Sequence, residues 1–296
     1  MLQYWSIWFC ALSLRWLPLR AGYAIATVVA DIVFLVWRQG RANILDNMSH
    51  VLGDNATPRQ VREMAKRSLR NYAKYTVDYL RLSFTKVDEI TRQVTCTHWP
   101  KFESLADRGR GMLIVGMHMG NWDLGPAMLC QRDYDVSVVV ESFKYSRMND
   151  FVQGIRTKCG MNAIPLERAT RGILNALKKK HFLGILIDRP TQERGVQVRF
   201  FDAPTYVPAG AATLALRTGA PVVTFAVVRT RDNKFLTLYD DNIAIEPSGD
   251  FEKDVQYLTQ KIIDSLEKMI RNYPDQWYMF RPMWSAQTQS HAATRI

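Results

Sequence analysis

The stretch that decides the fold is Gly111-Met-Leu-Ile-Val-Gly-Met-His118-Met-Gly-Asn-Trp-Asp123. Its first seven residues form an apolar run that predicts a buried β-strand. Gly120 then allows a tight turn, and Asn121 is a good helix cap. His118 comes directly after the strand, and ligands of α/β folds bind beyond the carboxyl ends of strands. We therefore predict an α/β fold with a functional site at the end of this strand.

His118 and Asp123 are the candidate catalytic pair. Their spacing across a tight turn lets the Asp123 carboxylate reach one imidazole nitrogen of His118, which fixes the tautomer and favours the imidazolium form. The other nitrogen then faces a substrate hydroxyl, so a base acts without a protein nucleophile. A lone histidine after a strand is more often structural. The flanking Gly-Asn-Trp and the aspartate favour catalysis here.

Apolar β-rich runs alternate with helical patterns along the rest of the chain. Strands are predicted at 112–117, 136–140, 163–166, 182–187, 221–228 and 235–239. Helices are predicted at 58–83, 121–131, 147–159, 168–180, 208–218 and 251–271. This alternation predicts a largely buried sheet flanked by helices, in a single domain over residues 41–296.

The N-terminal region is the most apolar part of the chain. Its tryptophans and flanking arginines predict a membrane-associated segment over residues 1–40, formed by two helices in the membrane interface. A cleaved signal peptide is disfavoured because no Lys or Arg precedes Arg15. A spanning helix is disfavoured because Asp31 interrupts the second apolar run. A soluble helical hairpin packed on the core is the remaining alternative.

The chain is strongly basic, with 39 Lys+Arg against 28 Asp+Glu and a formal net charge of +11. This excess implies an anionic partner, and nucleic acid, an anionic lipid surface or a phosphorylated substrate all fit. Many of the basic residues fall in the predicted helix 58–83, where they form either a solvated face or a surface for membrane or donor phosphate. No known nucleic-acid module with interleaved aromatic residues is present, so we expect no nucleic-acid partner.

Other chemistries lack their sequence signals. There is no G-x-S-x-G elbow and no Walker loop, and Ile114 breaks the dinucleotide fingerprint that Gly109 and Gly111 begin. The five histidines lack metal-ligand spacing, and the four cysteines form no C-x-x-C pair. We therefore expect no metal and no resident cofactor.

The block from His118 to Asp123 resembles the H-x4-D/E motif of the bacterial lipid A late acyltransferases. That family includes lauroyl and myristoyl transferases and the mycobacterial phosphatidylinositol mannoside acyltransferase. An ordered set of further blocks extends the resemblance along almost the whole chain: Arg41-Ala-Asn43-Ile-Leu-Asp-Asn47, Ile187-Asp188-Arg189, Gly195-Val-Gln-Val-Arg-Phe-Phe201, Pro208-Ala-Gly-Ala-Ala-Thr-Leu-Ala215 and Pro274-Asp-Gln276-Trp277-Tyr-Met-Phe-Arg281-Pro-Met-Trp284.

The resemblance implies a glycerolphosphate-acyltransferase-like core with a hydrophobic cleft, on the cytoplasmic face of a bacterial cell membrane. It implies transfer of a fatty acyl chain from acyl-CoA or acyl carrier protein to a glycolipid hydroxyl, on a lipid A precursor or a phosphatidylinositol-mannoside-like acceptor. His118 would deprotonate the hydroxyl, and Asp123 would orient His118. Arg189, or backbone amides near Gly210, would stabilise the oxyanion.

The resemblance also supplies further site residues. Asp188 matches an acidic residue after the fourth core strand and joins the catalytic candidates. Substrate-binding candidates are Arg156, Arg189, Asn121 and Trp122.

One departure concerns a glutamate that the mannoside enzymes carry within the Gly-Val-x-Val-x-Phe-Phe block. Gln197 and Arg199 occupy the variable positions here, and Glu193 is the nearest acid that can substitute. The competing interpretation of the whole chain is a non-catalytic peripheral membrane protein that binds anionic lipid through its basic helices.

Overall fold

The computed structural model describes residues 2–106, 111–190, 195–241 and 243–284. The helices are α1 (Leu2–Trp16), α2 (Leu19–Val36), α3 (Arg38–Leu52), α4 (Pro58–Arg81), α5 (Val87–Thr91), α6 (Trp99–Ala106), α7 (Leu124–Cys130), α8 (Ser146–Lys158), α9 (Ala169–Lys178), α10 (Gly210–Thr218) and α11 (Phe251–Asn272). The strands are β1 (Val94–Thr95), β2 (Met112–Gly116), β3 (Val136–Val140), β4 (Asn162–Pro165), β5 (Phe182–Leu186), β6 (Gly195–Phe200), β7 (Ala203–Pro208), β8 (Val222–Arg229) and β9 (Phe235–Asp240).

A seven-stranded mixed sheet forms the centre of the described chain, in the order β1-β9-β8-β2-β5-β3-β4. Strand β2 is buried along its whole length and runs parallel to both β5 and β8. Strands β3 and β4 continue the parallel part, whereas β9 runs antiparallel to β8. The predicted α/β sheet flanked by helices is confirmed. Because β2, β5 and β3 are parallel, the residues that follow them meet at one edge of the sheet.

Helix α2 presents one face to the protein and an apolar face to the outside. Tyr23 and Phe34 are buried on the inner side. Asp31 is paired with Arg70 of α4 through two hydrogen bonds of 2.7 Å, and Lys66 lies 3.5 Å from the same carboxylate. The outer face carries exposed apolar side chains: Ile25, Val28, Val29, Ile32, Leu35 and Val36. Among the described helices, α2 alone is long and apolar enough to cross a membrane.

Helix α4 connects the N-terminal helices to the sheet. It begins at a capping box, in which Thr57 accepts a hydrogen bond from the backbone of Gln60 and the Gln60 side chain reaches back to Thr57. Two side chains of its buried face, Tyr75 and Asp78, point toward the turn that follows β2, where they contact Asp123 and Asn121 respectively. The basic residues of α4 lie mainly on its other faces.

The segment that follows α11 returns across the sheet and is tied down by side chains of α3 and α4. Asn47 donates hydrogen bonds of 2.8 Å to the carbonyl oxygens of Met279 and Arg281. Ser68 of α4 donates one of 2.7 Å to the carbonyl of Trp277. These bonds hold Trp277, which is fully buried, beside the end of β2.

Candidate active site

The turn after β2 is a sharp bend held by the strand beside it. Gly120 has a φ of +59°, and a Cβ at this position would lie 2.0 Å from the carbonyl oxygen of Val227 in β8. Only glycine fits there, because both the conformation and the space exclude a side chain. The amide of Asn121 donates to that same carbonyl at 2.7 Å, and the amide of Gly120 donates to Gln276 at 2.8 Å. The position of His118 is therefore fixed by β8 and by the segment after α11.

The imidazole of His118 is paired with Asp188. Nδ1 of His118 lies 2.7 Å from Oδ1 of Asp188, and the backbone amide of His118 donates to Oδ2 at 2.9 Å. Nε1 of Trp277 donates to Oδ2 at 3.0 Å. Asp188 follows β5 and is fully buried, whereas the His118 side chain is 19% exposed. The two ends of adjacent parallel strands thus place a carboxylate and an imidazole in direct contact.

The ionisation of Asp188 determines which ring nitrogen of His118 carries the proton. Burial alone would raise the pKa of Asp188, but the charge of His118 and the three hydrogen bonds hold that pKa below its ordinary value. An ionised carboxylate only accepts hydrogen bonds, so Nδ1 of His118 donates. Nε2 is then the ring nitrogen left to take a proton, as a general base requires.

The geometry around Asp123 differs from the predicted one. Its carboxylate accepts a hydrogen bond from Tyr75 at 2.7 Å and two from Arg156, at 2.7 and 3.4 Å. The partner of His118 is Asp188 instead. The physical reason is that Asp123 is 3% exposed and lies beside the half-buried Arg156 guanidinium. Burial disfavours the charge on Arg156, but the nearby Asp123 carboxylate outweighs it and raises the pKa of Arg156.

Arg156 was predicted to bind substrate, and the structure gives its charge a different partner. Besides Asp123, its Nη1 donates to Gln153 at 2.8 Å, and its guanidinium lies 5.3 Å from the ring centre of Tyr79. The Asp123–Arg156 pair fixes α8 against the start of α7 and supports the turn of residues 118–123.

Trp122, one of the substrate-binding candidates, lies beside the imidazole. Its ring centre is 5.2 Å from that of His118 in an edge-to-face arrangement and 3.9 Å from that of Tyr75. The ring centre of Tyr278 is 6.0 Å from that of Trp122. Half-buried Trp122 therefore forms an apolar wall next to His118, and such a wall suits an acyl chain or the apolar part of a lipid.

A second charged group lies at the same edge of the sheet. The Arg189 guanidinium is paired with Glu141, and Arg281 approaches the same carboxylate at 4.0 Å. Burial and the neighbouring Arg281 lower the pKa of Arg189. Glu141 was not predicted from the sequence. It follows the last residue of β3 directly, and Asp188 similarly comes just after β5, with one residue between. That placement is the signal that points to it.

The remaining candidates occupy different surroundings. Asn121 is 1% exposed, and its Nδ2 approaches Asp78 at 3.5 Å, so it belongs to the support of the turn rather than to an open surface. Helix α7 also begins after Asp123, three residues beyond the predicted cap. Gly210 is the first residue of α10 and has open space beside it. Glu193 lies outside the described residues.

Comparison with known proteins covers almost the whole chain. The family described as "Bacterial lipid A biosynthesis acyltransferase" matches residues 1–286. A phosphatidylinositol mannoside acyltransferase of Mycolicibacterium smegmatis is 26% identical over 262 residues, which is 87% of this chain and 84% of that protein. Proteins of the same name from two strains of Mycobacterium tuberculosis are 27% and 28% identical over 260 residues, 83% of this chain and 78% of theirs. With a family match of this extent, the chain belongs to the bacterial lipid A biosynthesis acyltransferases and is an O-acyltransferase.

Proposed function

We propose that this enzyme moves a fatty acyl group from a thioester donor to a glycolipid hydroxyl, with His118 as the general base and Asp188 as its orienting partner. The observation that carries the proposal is the hydrogen bond of 2.7 Å between Nδ1 of His118 and the ionised, fully buried Asp188. It leaves Nε2 as the basic nitrogen, on a partly exposed side chain at the carboxyl edge of the sheet.

The reaction follows from this geometry. Nε2 of His118 takes the proton of the acceptor hydroxyl as its oxygen attacks the thioester carbonyl carbon. The tetrahedral intermediate then breaks its carbon–sulfur bond, and the imidazolium returns the proton to the leaving thiolate. The products are an ester and a free thiol, and no acyl-enzyme forms. Asp188 stabilises the imidazolium in between, as the aspartate of a catalytic triad does.

Two groups support the charges that develop. Arg189 follows Asp188 in the chain, and its half-buried guanidinium is held by Glu141, which makes it the candidate for stabilising the oxyanion. Asp123 supports His118 only indirectly, because the hydrogen bonds of its carboxylate are to Tyr75 and Arg156. We assign Asp123 a positioning role for the turn that carries Trp122, just before α7.

The acceptor and donor are assigned by class. The mycobacterial relatives are named as phosphatidylinositol mannoside acyltransferases, and this favours a phosphatidylinositol-mannoside-like acceptor over a lipid A precursor. Acyl-CoA and acyl carrier protein are both anionic, and exposed arginines at the edge of the site, such as Arg281, suit either.

The enzyme meets its lipid acceptor at the cytoplasmic face of the membrane. The exposed apolar face of α2 and the tryptophans of α1 supply the contact area, with exposed Trp5, Trp8 and Trp16 at a depth that tryptophan favours. Asp31 does not oppose this contact, because Arg70 and Lys66 engage it on the protein side. The arrangement supports a helix that lies in the interface rather than one that spans the bilayer.

The test uses the full chain in detergent with acyl-CoA and a glycolipid acceptor. Thiol release and mass spectrometry of the acceptor should show one added acyl chain per thiol released. His118→Ala should lower the rate by about 10²–10⁴-fold. His181→Ala is the matched control, because His181 bonds Ser137 through its own Nδ1 at the opposite end of β5. Near-normal transfer by His118→Ala would refute the mechanism.

The same experiment addresses the non-catalytic interpretation. A protein that only binds anionic lipid consumes no thioester, and its vesicle binding is indifferent to His118. Membership of an acyltransferase family favours an enzyme, and it makes the lipid-facing helices part of that enzyme rather than its whole function.

A further inference from the structure

We infer that Tyr23 of helix α2 and the buried Asp78–Arg229 ion pair together position the catalytic turn, so that the N-terminal helix belongs to the catalytic centre as well as to the membrane contact. The kinetic part of this inference rests on the proposed function. The structural part does not.

The ion pair lies in the interior between three separate parts of the chain. Asp78 of α4 accepts hydrogen bonds from the Tyr23 hydroxyl and from the Arg229 guanidinium at the end of β8. Arg229 also donates to the Tyr23 hydroxyl at 3.0 Å, and its guanidinium lies 4.9 Å from the Tyr23 ring centre. All three side chains are at most 8% exposed. Tyr23 therefore closes the ion pair from the side of α2.

This cluster is connected to the catalytic turn by two routes. The first is direct, because Nδ2 of Asn121 approaches the Asp78 carboxylate at 3.5 Å. The second runs through Gln276, whose side chain bonds the backbone amide and carbonyl of Arg229 at 2.7 and 2.8 Å. The carbonyl of Gln276 accepts the amide of Gly120 at 2.8 Å. A displacement of Arg229 would therefore shift the turn at two residues, Asn121 and Gly120.

The conformation of this turn sets the geometry of the hydrogen bond between His118 and Asp188. The backbone amide of His118 bonds Asp188, and the backbone carbonyl of His118 accepts from Tyr278 at 2.8 Å. Gly120 and Asn121 follow within three residues, so a shift of the turn rotates His118 relative to Asp188. A misplacement of about 1 Å costs on the order of 10²-fold in rate.

A purely stabilising role accounts poorly for this arrangement. Buried ion pairs rarely stabilise more than well-packed apolar residues of the same size, because each charge loses its hydration. Burial indeed raises the pKa of Asp78 despite Arg229 and its hydrogen-bond donors. What the polar cluster provides is a set of directional bonds between α2, α4, β8 and the turn, and apolar packing would not fix that geometry.

Tyr23 connects the exposed apolar face of α2 to the buried ion pair. It lies on the buried side of the helix whose opposite face, including Ile25 and Ile32, is exposed and apolar. Lipid contact that shifts α2 against α4 therefore acts on the hydroxyl that closes the ion pair.

The test compares Tyr23→Phe with Ser265→Ala in the full chain. Both remove one buried hydroxyl, but Ser265 bonds Thr224 and Asp240 away from the turn. The first readout is ¹⁵N NMR of labelled histidine rings in the substrate-free protein, with the His118 signals assigned by their loss in His118→Ala. The second is the kcat and KM of acyl transfer, measured well below each Tm.

We expect Tyr23→Phe to shift the His118 signals and to lower kcat about tenfold, with KM changed less than twofold. Ser265→Ala should leave both readouts unchanged. Arg229→Lys, which keeps the charge but loses the fork of donors, should act in the same direction as Tyr23→Phe. Unchanged His118 signals in both cluster variants, or equal shifts in Ser265→Ala, would overturn the inference. Absence of acyl transfer by the unmodified protein would instead count against the proposed function, and the NMR result would still decide this one.

Discussion

Replacing Asp188 with asparagine should stop catalysis by reversing the tautomer of His118, not by unfolding the protein. Oδ2 of Asp188 accepts two N–H groups, from the His118 backbone at 2.9 Å and from Trp277 at 3.0 Å. In Asp188→Asn the amide oxygen must take this position, because an NH₂ group there would face two donors. The NH₂ group then lies where Oδ1 lies now, 2.7 Å from Nδ1 of His118, and donates to it. Nδ1 becomes an acceptor, Nε2 carries the ring proton, and the base is lost.

The size of the effect follows from this tautomer argument. The corresponding aspartate-to-asparagine change in a serine protease triad lowers kcat about 10⁴-fold through the wrong tautomer. We expect a loss of about 10³–10⁴-fold here, or about 4–5.5 kcal/mol of transition-state stabilisation at 1.36 kcal/mol per tenfold. Stability should fall by only about 1 kcal/mol, since both buried N–H donors keep an acceptor.

Thiol release and urea denaturation measure the two quantities separately, and the ¹⁵N shifts of His118 report the tautomer directly. Asp254→Asn is the matched control, because Asp254 is a buried aspartate in the first turn of α11 that accepts a hydrogen bond from the backbone amide of Ser248. It should change the rate less than twofold. An Asp188→Asn enzyme that is folded and retains more than a tenth of the original kcat would refute the assignment of Asp188.

Three further predictions, each with a control variant, test the turn after β2, the Asp123–Arg156 pair and the apolar face of α2. Gly120→Ala places a Cβ 2.0 Å from a backbone oxygen at a left-handed φ, so urea denaturation should show a loss of about 3 kcal/mol. Gly154→Ala, in a helix and with open space around it, should instead gain about 0.5–1 kcal/mol. Asp123→Asn leaves the half-buried Arg156 charge without its counter-ion and should cost about 3 kcal/mol. Adding Arg156→Gln should restore more than half of that loss, and a further loss would contradict a buried ion pair. Ile32→Glu should lower the partition coefficient onto anionic vesicles, measured by flotation, about 30-fold, which is equivalent to about 2 kcal/mol. The control Leu174→Glu, at the exposed leucine of α9, should leave the partition coefficient unchanged.

The architecture was largely predictable because its strands and helices carry strong local signals. The run at 112–117 is uniformly apolar, and the observed β2 covers Met112–Gly116. The final helix, predicted at 251–271, is observed at Phe251–Asn272, where apolar residues recur at helical spacing. The hairpin β6–β7 was not predicted as strands, although the alternation in Gly195–Phe200 is the period-two pattern of a strand.

The partners of the site residues were harder to predict, because they come from distant parts of the sequence. The short spacing from His118 to Asp123 suggested a local pair, whereas Asp188, 70 residues away, makes the contact. Parallel strand order decides this, and β5 lies beside β2 although β3 and β4 intervene in the chain. Tyr75 lies 48 residues before Asp123, and its hydrogen bond to that carboxylate depends on how α4 packs against the turn after β2. Spacing rules do not contain that information.

Trp277 has a consequence for how the enzyme matures. This residue is fully buried, donates to the carboxylate that orients His118, and is encoded after every strand of the sheet. A ribosome-bound chain can therefore complete the whole sheet and still lack the last hydrogen-bond donor to the proposed catalytic pair. Catalytic competence should arise in one late step, when this segment docks against α3 and α4. Incomplete chains would then carry the N-terminal helices and the sheet without transferring acyl groups.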